Sequence, residues 1–211
     1  MLFRSEVKEK LLNNNRLVLQ APPGAGKTTA LPLALLDEPW LKGKKIIMLE
    51  PRRLAVRSSA ARMAELLGEK VGKRIGYQIK MESVQSKETQ ILIITEGILT
   101  RKLQHDPGLE DVALIIFDEF HERSLHADLS LALALESQAV LREDLKILIM
   151  SATLNTSAIS ELLDHAPIVQ SEGRSFPVDS IYLPTHTPQP TKKELPSFVH
   201  TLLHSILQKE E

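Results

Sequence analysis

The chain has 211 residues, 43% of them hydrophobic, with a formal net charge of −1 and a pI near 6.7. That balance suits a globular core and supplies no broad positive field, so any nucleic-acid contact must come from local clusters. Cysteine is absent, which excludes disulfides, thiolate metal sites and thiol catalysis. The first ten residues mix charges into a helical pattern without the apolar stretch of a secretory signal. No apolar run reaches the about 18 residues of a membrane span, so a cytoplasmic protein with no membrane contact is expected.

In chain order, short apolar runs alternate with helical patterns. Strands are expected at 17–19, 45–49, 91–94, 112–117, 146–150 and 167–170, with helices between most of them. In 54–67, for example, Val56, Ala60, Met63, Ala64 and Leu67 share one face of an α-helical period. Continuous apolar strands alternating with helices predict an α/β fold, a doubly wound and mostly parallel sheet with helices on both faces. Ligands of such sheets sit at the carboxyl ends of the strands.

Two stretches fall at that edge. The first follows strand 17–19 and reads Ala21-Pro22-Pro23-Gly24-Ala25-Gly26-Lys27-Thr28-Thr29, leading into an apolar helical run. A strand, a glycine-rich turn and a helix opening on Lys-Thr form a phosphate cradle. Its backbone N–H groups point inward, Lys27 reaches the β- and γ-phosphates, and Thr28 is placed to ligate Mg2+. The usual G-x-x-x-x-G-K-[ST] pattern has glycine where this chain has Ala21, while Gly24 and Gly26 still supply flexible backbone. An ordinary Gly/Pro turn before a helix is the competing reading.

The second stretch is Val112 to Phe117 followed by Asp118-Glu119-Phe120-His121-Glu122-Arg123. An apolar strand ending in paired carboxylates, downstream of a phosphate loop, suits a magnesium nucleotide. Asp118 can hold the metal through its water shell, and Glu119 can orient and deprotonate an attacking water. Alternatively the pair merely caps the next helix.

Asp118 to His121 resembles the DEAH box, with Phe120 where alanine is usual, and Ser151-Ala152-Thr153 resembles helicase motif III. Pro51-Arg52-Arg53-Leu54-Ala55 is similar to the family's backbone-contacting motif, and Thr95-Glu96-Gly97 to its Thr-Asp-Gly motif. Gly173-Arg174-Ser175-Phe176-Pro177-Val178 is similar to the sequence that follows the domain. On these motifs, spread over residues 16–178, the chain is identified as a member of the DEAH branch of superfamily-two helicases. It corresponds to their first RecA-like, P-loop NTPase domain.

The resemblance implies ATP hydrolysis driving movement on, or unwinding of, nucleic acid, with single-stranded RNA the expected partner. It implies backbone contacts from Arg52, Arg53, Thr95 and Arg101, and adenine stacking by Arg62. His121 would bridge the nucleotide site to Ser151 and Thr153, coupling hydrolysis to movement. From the residues alone, Arg52 and Arg53 read equally as a solvated helix start and Arg62 as a surface helix pair.

His105, His126, His165, His186, His200 and His204 lack trustworthy ligand spacing; the last two form an i,i+4 pair that reads as solvated. The expected domain spans 1–183, followed by a proline-rich linker at 184–194. Over 195–211, Leu195, Phe198, Val199, Leu202 and Ile206 mark an amphipathic helix leading toward a second RecA-like domain. No Q-x-x-G-R-x-G-R-like segment occurs, so the arginine fingers that such a domain would supply are missing. A nucleotide-binding fragment with negligible turnover is therefore one alternative function, and another P-loop enzyme, such as a small-molecule kinase, is a second. A kinase needs neither His121 after the carboxylates nor Ser151-Ala152-Thr153.

Overall fold

The computed structural model describes residues 2–152, 156–171, 180, 182–184 and 187–208. Thr153 and the 173–178 segment lie outside them. The chain forms two compact units, 1–174 and 175–211.

The elements of the first unit are α1 (Leu2–Asn13), β1 (Arg16–Gln20), α2 (Ala30–Ala34), β2 (Lys45–Glu50), α3 (Arg53–Leu66), β3 (Ile75–Ile79) and β4 (Glu82–Val84). They continue with β5 (Ile91–Thr95), α4 (Glu96–His105), β6 (Val112–Phe117), α5 (Leu125–Val140), β7 (Lys146–Ser151), α6 (Thr156–Leu162) and β8 (Ile168–Gln170). The eight strands form one sheet in the order β4-β3-β5-β2-β6-β7-β1-β8. All neighbours are parallel except the β3–β4 pair.

This is the expected α/β sheet, and its pleat explains why the strands read as unbroken apolar runs. Successive side chains face opposite sides, and both sides are covered. Leu17, Leu19, Ile46, Met48, Leu148 and Met150 join a core with Phe3, Val7 and Leu11 of α1, Leu31 of α2, and Val56, Ala60 and Met63 of α3. Val18, Ile47, Leu49, Ile147 and Ile149 join the opposite core with Leu99 and Leu103 of α4 and Leu131 and Ala134 of α5. Each fully buried Leu or Ile contributes roughly 1.5–3 kcal/mol. No surface alternation survives in strands buried this way.

The sequence reading omits β3 and β4. Tyr77, Gln78 and Glu82 interrupt any apolar pattern, and this hairpin ends the sheet, where one face is half exposed. Its tip is held by the Glu82 carboxylate, which accepts hydrogen bonds from Arg57 and from the Tyr77 hydroxyl.

In the second unit, α7 (Leu195–Leu207) has no buried side chain. The Glu194 carboxylate accepts from the Thr191 N–H at 3.0 Å and from its hydroxyl at 2.7 Å. These bonds lower the Glu194 pKa and form one arm of a Thr-x-x-Glu capping box. His200 and His204 have ring centroids 6.3 Å apart. Among the described residues, no group of three or more His, Cys, Asp or Glu could hold a metal ion. Nor is any helix of these residues long and apolar enough to cross a membrane.

One buried cation ties together two turns at the amino edge of the sheet. Arg142 is 8% exposed. It donates to the carbonyls of Gly108 and Leu109 at 2.7 Å and of Val112 at 2.9 Å, and to the Asp144 carboxylate at 2.7 and 3.0 Å. These bonds hold the Asp144 carboxyl well below the usual carboxylate range. Arg142→Met takes a donor from three carbonyls, of which Leu109's keeps the Val112 N–H, and should cost about 3 kcal/mol in urea unfolding. Arg142→Lys should recover only part, because an ammonium cannot reproduce the planar fork.

Candidate active site at the carboxyl edge of the sheet

The turn after β1 follows the cradle pattern. Ala21 is fully buried and its N–H donates to the Ser151 carbonyl at 3.0 Å, so the strand pairing runs one residue into the motif. Gly24 and Gly26 have φ of +79° and +80°, a region in which side chains are strained. Between Pro23 and Thr29 the chain has no regular structure. The regular part of α2 begins at Ala30, although the Ala30 N–H already donates to the Gly26 carbonyl at 3.0 Å. The helical ladder therefore starts at the loop, as the sequence implies, while the helix proper starts two residues after Thr28.

Across from it, β6 ends in the carboxylates. Lys27 Nζ lies 2.6 Å from Glu119 Oε1, and the Thr28 hydroxyl donates to Asp118 Oδ2 at 2.6 Å. Lys27 is 4% exposed and Asp118 5%. Burial raises the Asp118 pKa, and the Thr28 hydrogen bond opposes that shift. Glu119 adopts φ 49° and ψ 35°, left-handed for a residue with a side chain. Such strain costs on the order of 1 kcal/mol and is found where surrounding structure over-determines the geometry. Here the Glu119 N–H donates to Asp118 Oδ1 at 2.8 Å, fixing the turn that aims Glu119 at Lys27.

His121 sits on the single turn of 3-10 helix that follows (Phe120–Glu122). Its Nδ1 accepts the Ala152 N–H at 3.3 Å, and its Nε2 lies 3.4 Å from Glu119 Oε2. With Nδ1 acting as acceptor, the imidazole proton resides on Nε2, facing Glu119. The link from carboxylate to the end of β7 thus runs through the backbone of Ala152. Ser151 beside it is fully buried.

A third carboxyl escaped the sequence reading. Glu50, the last residue of β2, is 2% exposed and accepts a hydrogen bond from the Ser59 hydroxyl at 3.3 Å. Its pKa is pushed up to about 8, first by burial and then by the neighbouring Asp118 carboxylate. The signal was present, since Glu50 ends an apolar strand as Asp118 does. It lines a cavity of about 290 Å³ together with Thr28, Arg52, Ser59, Glu119 and Glu122. A larger hollow of about 470 Å³ lies at the amino edge of the sheet around Arg16 and Gln138 and contains none of the expected site residues.

The residues expected on the nucleic-acid side are grouped less tightly. β2 and β5 are parallel neighbours with Glu50 opposite Thr95, so Arg52, Arg53 and Thr95 leave the same edge of adjacent strands. Arg52 pairs with Glu122 at 2.9 Å. Arg53 and Arg101 are exposed, the latter in the middle of α4. Arg62 pairs with Glu65 at 2.7 Å, three residues on along α3. That is the surface pairing given above as the alternative, and among the described residues no contact draws Arg62 toward the loop.

Glu50 gives the fold a pH dependence. Its carboxyl titrates near 8 when folded, against an ordinary 4.5, so the folded chain holds the proton more tightly. The resulting stabilisation is complete below the unfolded pKa and is lost as pH rises through the folded one. Urea unfolding in metal-free buffer should therefore show lower stability at about pH 8.5 than at about pH 5.5. Glu50→Gln, neutral and similar in shape, should flatten that slope; an unchanged slope would assign it to other groups.

The DEAD/DEAH box helicase family matches residues 3–162. The chain is 56% identical over 169 residues to the ATP-dependent RNA helicase HrpB of Escherichia coli (strain K12), covering 80% of this chain and 21% of that protein. It is 40% identical over 186 residues to the putative ATP-dependent RNA helicase DHX57 of Homo sapiens, covering 84% and 13%. The crystal structure of the Escherichia coli DEAH/RHA helicase HrpB superposes with a TM-score of 0.79 at 51% identity, covering 87% of this chain and 24% of that one. The chain thus spans about a fifth or less of the length of these relatives. With the phosphate loop, the carboxylate pair and the sheet order in place, the chain belongs to the DEAD/DEAH box helicase family.

Proposed function

We propose that this chain is the ATP-binding RecA-like domain of a cytoplasmic ATP-dependent RNA helicase. One observation carries the reading: Lys27 and Thr28 of the phosphate loop touch Glu119 and Asp118 directly. In this reading the sequence range 1–183 is assigned to the domain and 184–194 to a linker, and α7 (Leu195–Leu207), within the range 195–211, leads toward a second RecA-like domain.

The donor set fits Mg2+. Thr28 and Asp118 offer hard oxygens side by side, and with no group of three or more His, Cys, Asp or Glu among the described residues placed to hold an ion, the ion would keep waters and take nucleotide phosphates, as magnesium prefers. Thr28 and Asp118 would hold it, with Glu119 alongside through its waters. When bound, the ion neutralises charge on the phosphate oxygens. The chain's own groups do the rest. Loop N–H groups from Gly24 to Thr29 cradle the phosphates, Lys27 leaves Glu119 for the β- and γ-phosphates, and the released Glu119 orients and deprotonates water. His121, with its Nε2 proton facing Glu119, carries the change to Ser151 and Thr153. Arg62 is assigned to adenine, and Arg52, Arg53, Thr95 and Arg101 to the RNA backbone.

A second reading, nucleotide binding with negligible turnover, is favoured for this chain in isolation by the lack of an arginine-finger segment in its sequence. Such a finger is worth about 10³ to 10⁵ in rate in related phosphoryl-transfer systems.

Calorimetry with a non-hydrolysable ATP analogue separates the roles. Lys27→Ala should weaken binding about ten- to hundred-fold, the scale of one charge-assisted contact. Glu119→Gln should bind at least as tightly as the parent, since it frees Lys27, yet lower turnover by ~10²-fold or more in a protein carrying both domains. Equal loss of affinity in the two variants would contradict these assignments.

RNA binding should rest on few phosphates. Anisotropy with single-stranded RNA across salt concentrations should give a shallow slope, about two to four contacts at roughly 0.7 each. Arg53→Ala should reduce that slope by about one contact; an unchanged slope and affinity would return Arg53 to the solvated surface.

A further inference from the structure

We propose that Arg4 of α1 is a nucleotide-contacting residue, bringing a second cation to the phosphate cradle that Lys27 serves. The inference rests on the nucleotide-binding reading above.

The geometry begins with how α1 is fixed. Phe3, Val7 and Leu11 are 6%, 0% and 0% exposed, an i, i+4 stripe locked into the core beside β1. Arg4 follows the first of these anchors, so its stem cannot swing freely. Its guanidinium lies against the phosphate loop: Nη2 is 3.4 Å from where a Cβ on Gly26 would stand. Its Nε is shut away from solvent and, among the described residues, has no hydrogen-bond acceptor.

No carboxylate answers this charge. Among the described residues no ion pair includes Arg4, neither with Glu6 or Glu9 of its own helix nor with Glu38, which pairs with Lys8 one turn on at 2.9 Å. A partly desolvated cation without an anion is unfavourable, and the group a guanidinium fork matches is a carboxylate or a phosphate. The loop beside it turns on two left-handed glycines, the backbone of an anion-binding nest. Phosphate is the anion this loop is built for. Lys27 is engaged by Glu119 at 2.6 Å, whereas Arg4 has no such competitor among the described residues. Arg4 is therefore the cation free to meet the phosphate chain first.

The sequence reading passed over Arg4 because it sits among mixed charges, in a helix that precedes the motif and is separated from it by β1. Only the packing of α1 on β1 brings it to Gly26.

The test is calorimetry of the 211-residue chain with Mg-ADP at low and high salt, comparing parent, Arg4→Gln, Arg4→Lys and Lys27→Ala, with a melting curve for each without nucleotide. Arg4→Gln should bind ADP about ten-fold more weakly at low salt, the scale of one charge-assisted contact. The deficit should shrink as salt rises, Arg4→Lys should recover part of the affinity, and the melting temperatures should stay alike. Parent-like ADP affinity in Arg4→Gln, with affinity lost in Lys27→Ala, overturns the role of Arg4 and leaves the nucleotide reading standing. A deficit that is constant with salt and tracks a lowered melting temperature, with no recovery in Arg4→Lys, also overturns it and makes Arg4 a packing residue. Absence of ADP binding in the parent chain itself overturns both.

Discussion

The Lys27–Glu119 ion pair and the Thr28–Asp118 hydrogen bond join residues 92 and 90 positions apart in the chain. They can form because the sheet places β6, β7 and β1 side by side, so that the turns after all three strands open on one edge. The turn after β7 sits between the other two. Its Ser151 carbonyl receives the Ala21 N–H on one side, and its Ala152 N–H reaches His121 on the other. Any register slip between β7 and either neighbour would separate the lysine from its carboxylate. The apolar strand interiors hold that register, since a slip by one residue would exchange the two cores.

The same packing concentrates charge. Glu50, Asp118 and Glu119 converge on a region where Lys27 is the ion-paired base, and two of the three carboxyls are almost wholly buried. Burial and mutual repulsion push Glu50 and Asp118 toward their protonated forms. A site with this excess of acid is relieved by a divalent cation, and a phosphate chain arriving with its metal brings charge of both signs to match. The electrostatics thus support a metal-nucleotide complex over a bare anion. Glu50 acts as a neutral neighbour that limits how much negative charge Asp118 must share.

Much of this arrangement could be read before folding. The strands flanking the site are buried on both faces, and continuous apolar runs record that directly; the loop and the carboxylate pair carry their chemistry in contiguous residues. What was hidden depends on tertiary neighbours. The β3–β4 hairpin has too mixed a pattern at the end of the sheet. Glu50 looks like the polar end of a strand until Asp118 and Ser59 enclose it. The left-handed backbone of Glu119 has no signature in residue type, because glycine would be the expected occupant. Arg62 shows the reverse: motif resemblance gives it a ligand, while its visible partner is Glu65 on its own helix.

Glu50 also closes the distance between the two edges of the site. It is followed at once by Pro51, Arg52 and Arg53, so the segment proposed for the RNA backbone grows directly out of a residue packed beside Asp118, the carboxylate proposed to hold Mg2+. Arg52 reaches back to Glu122, within the turn that carries His121. The two connections differ in strength. The Arg52–Glu122 pair has side-chain exposures of 71% and 35%, and such pairs contribute about 1 kcal/mol or less, so a phosphate can displace Glu122 at little cost. Glu50 is buried in an interior that resists displacement. A phosphate captured by Arg52 would therefore free only the Glu122 side chain, because the Phe120–Glu122 turn stays anchored by Phe120, 3% exposed, and by the bond from the Ala152 N–H to His121.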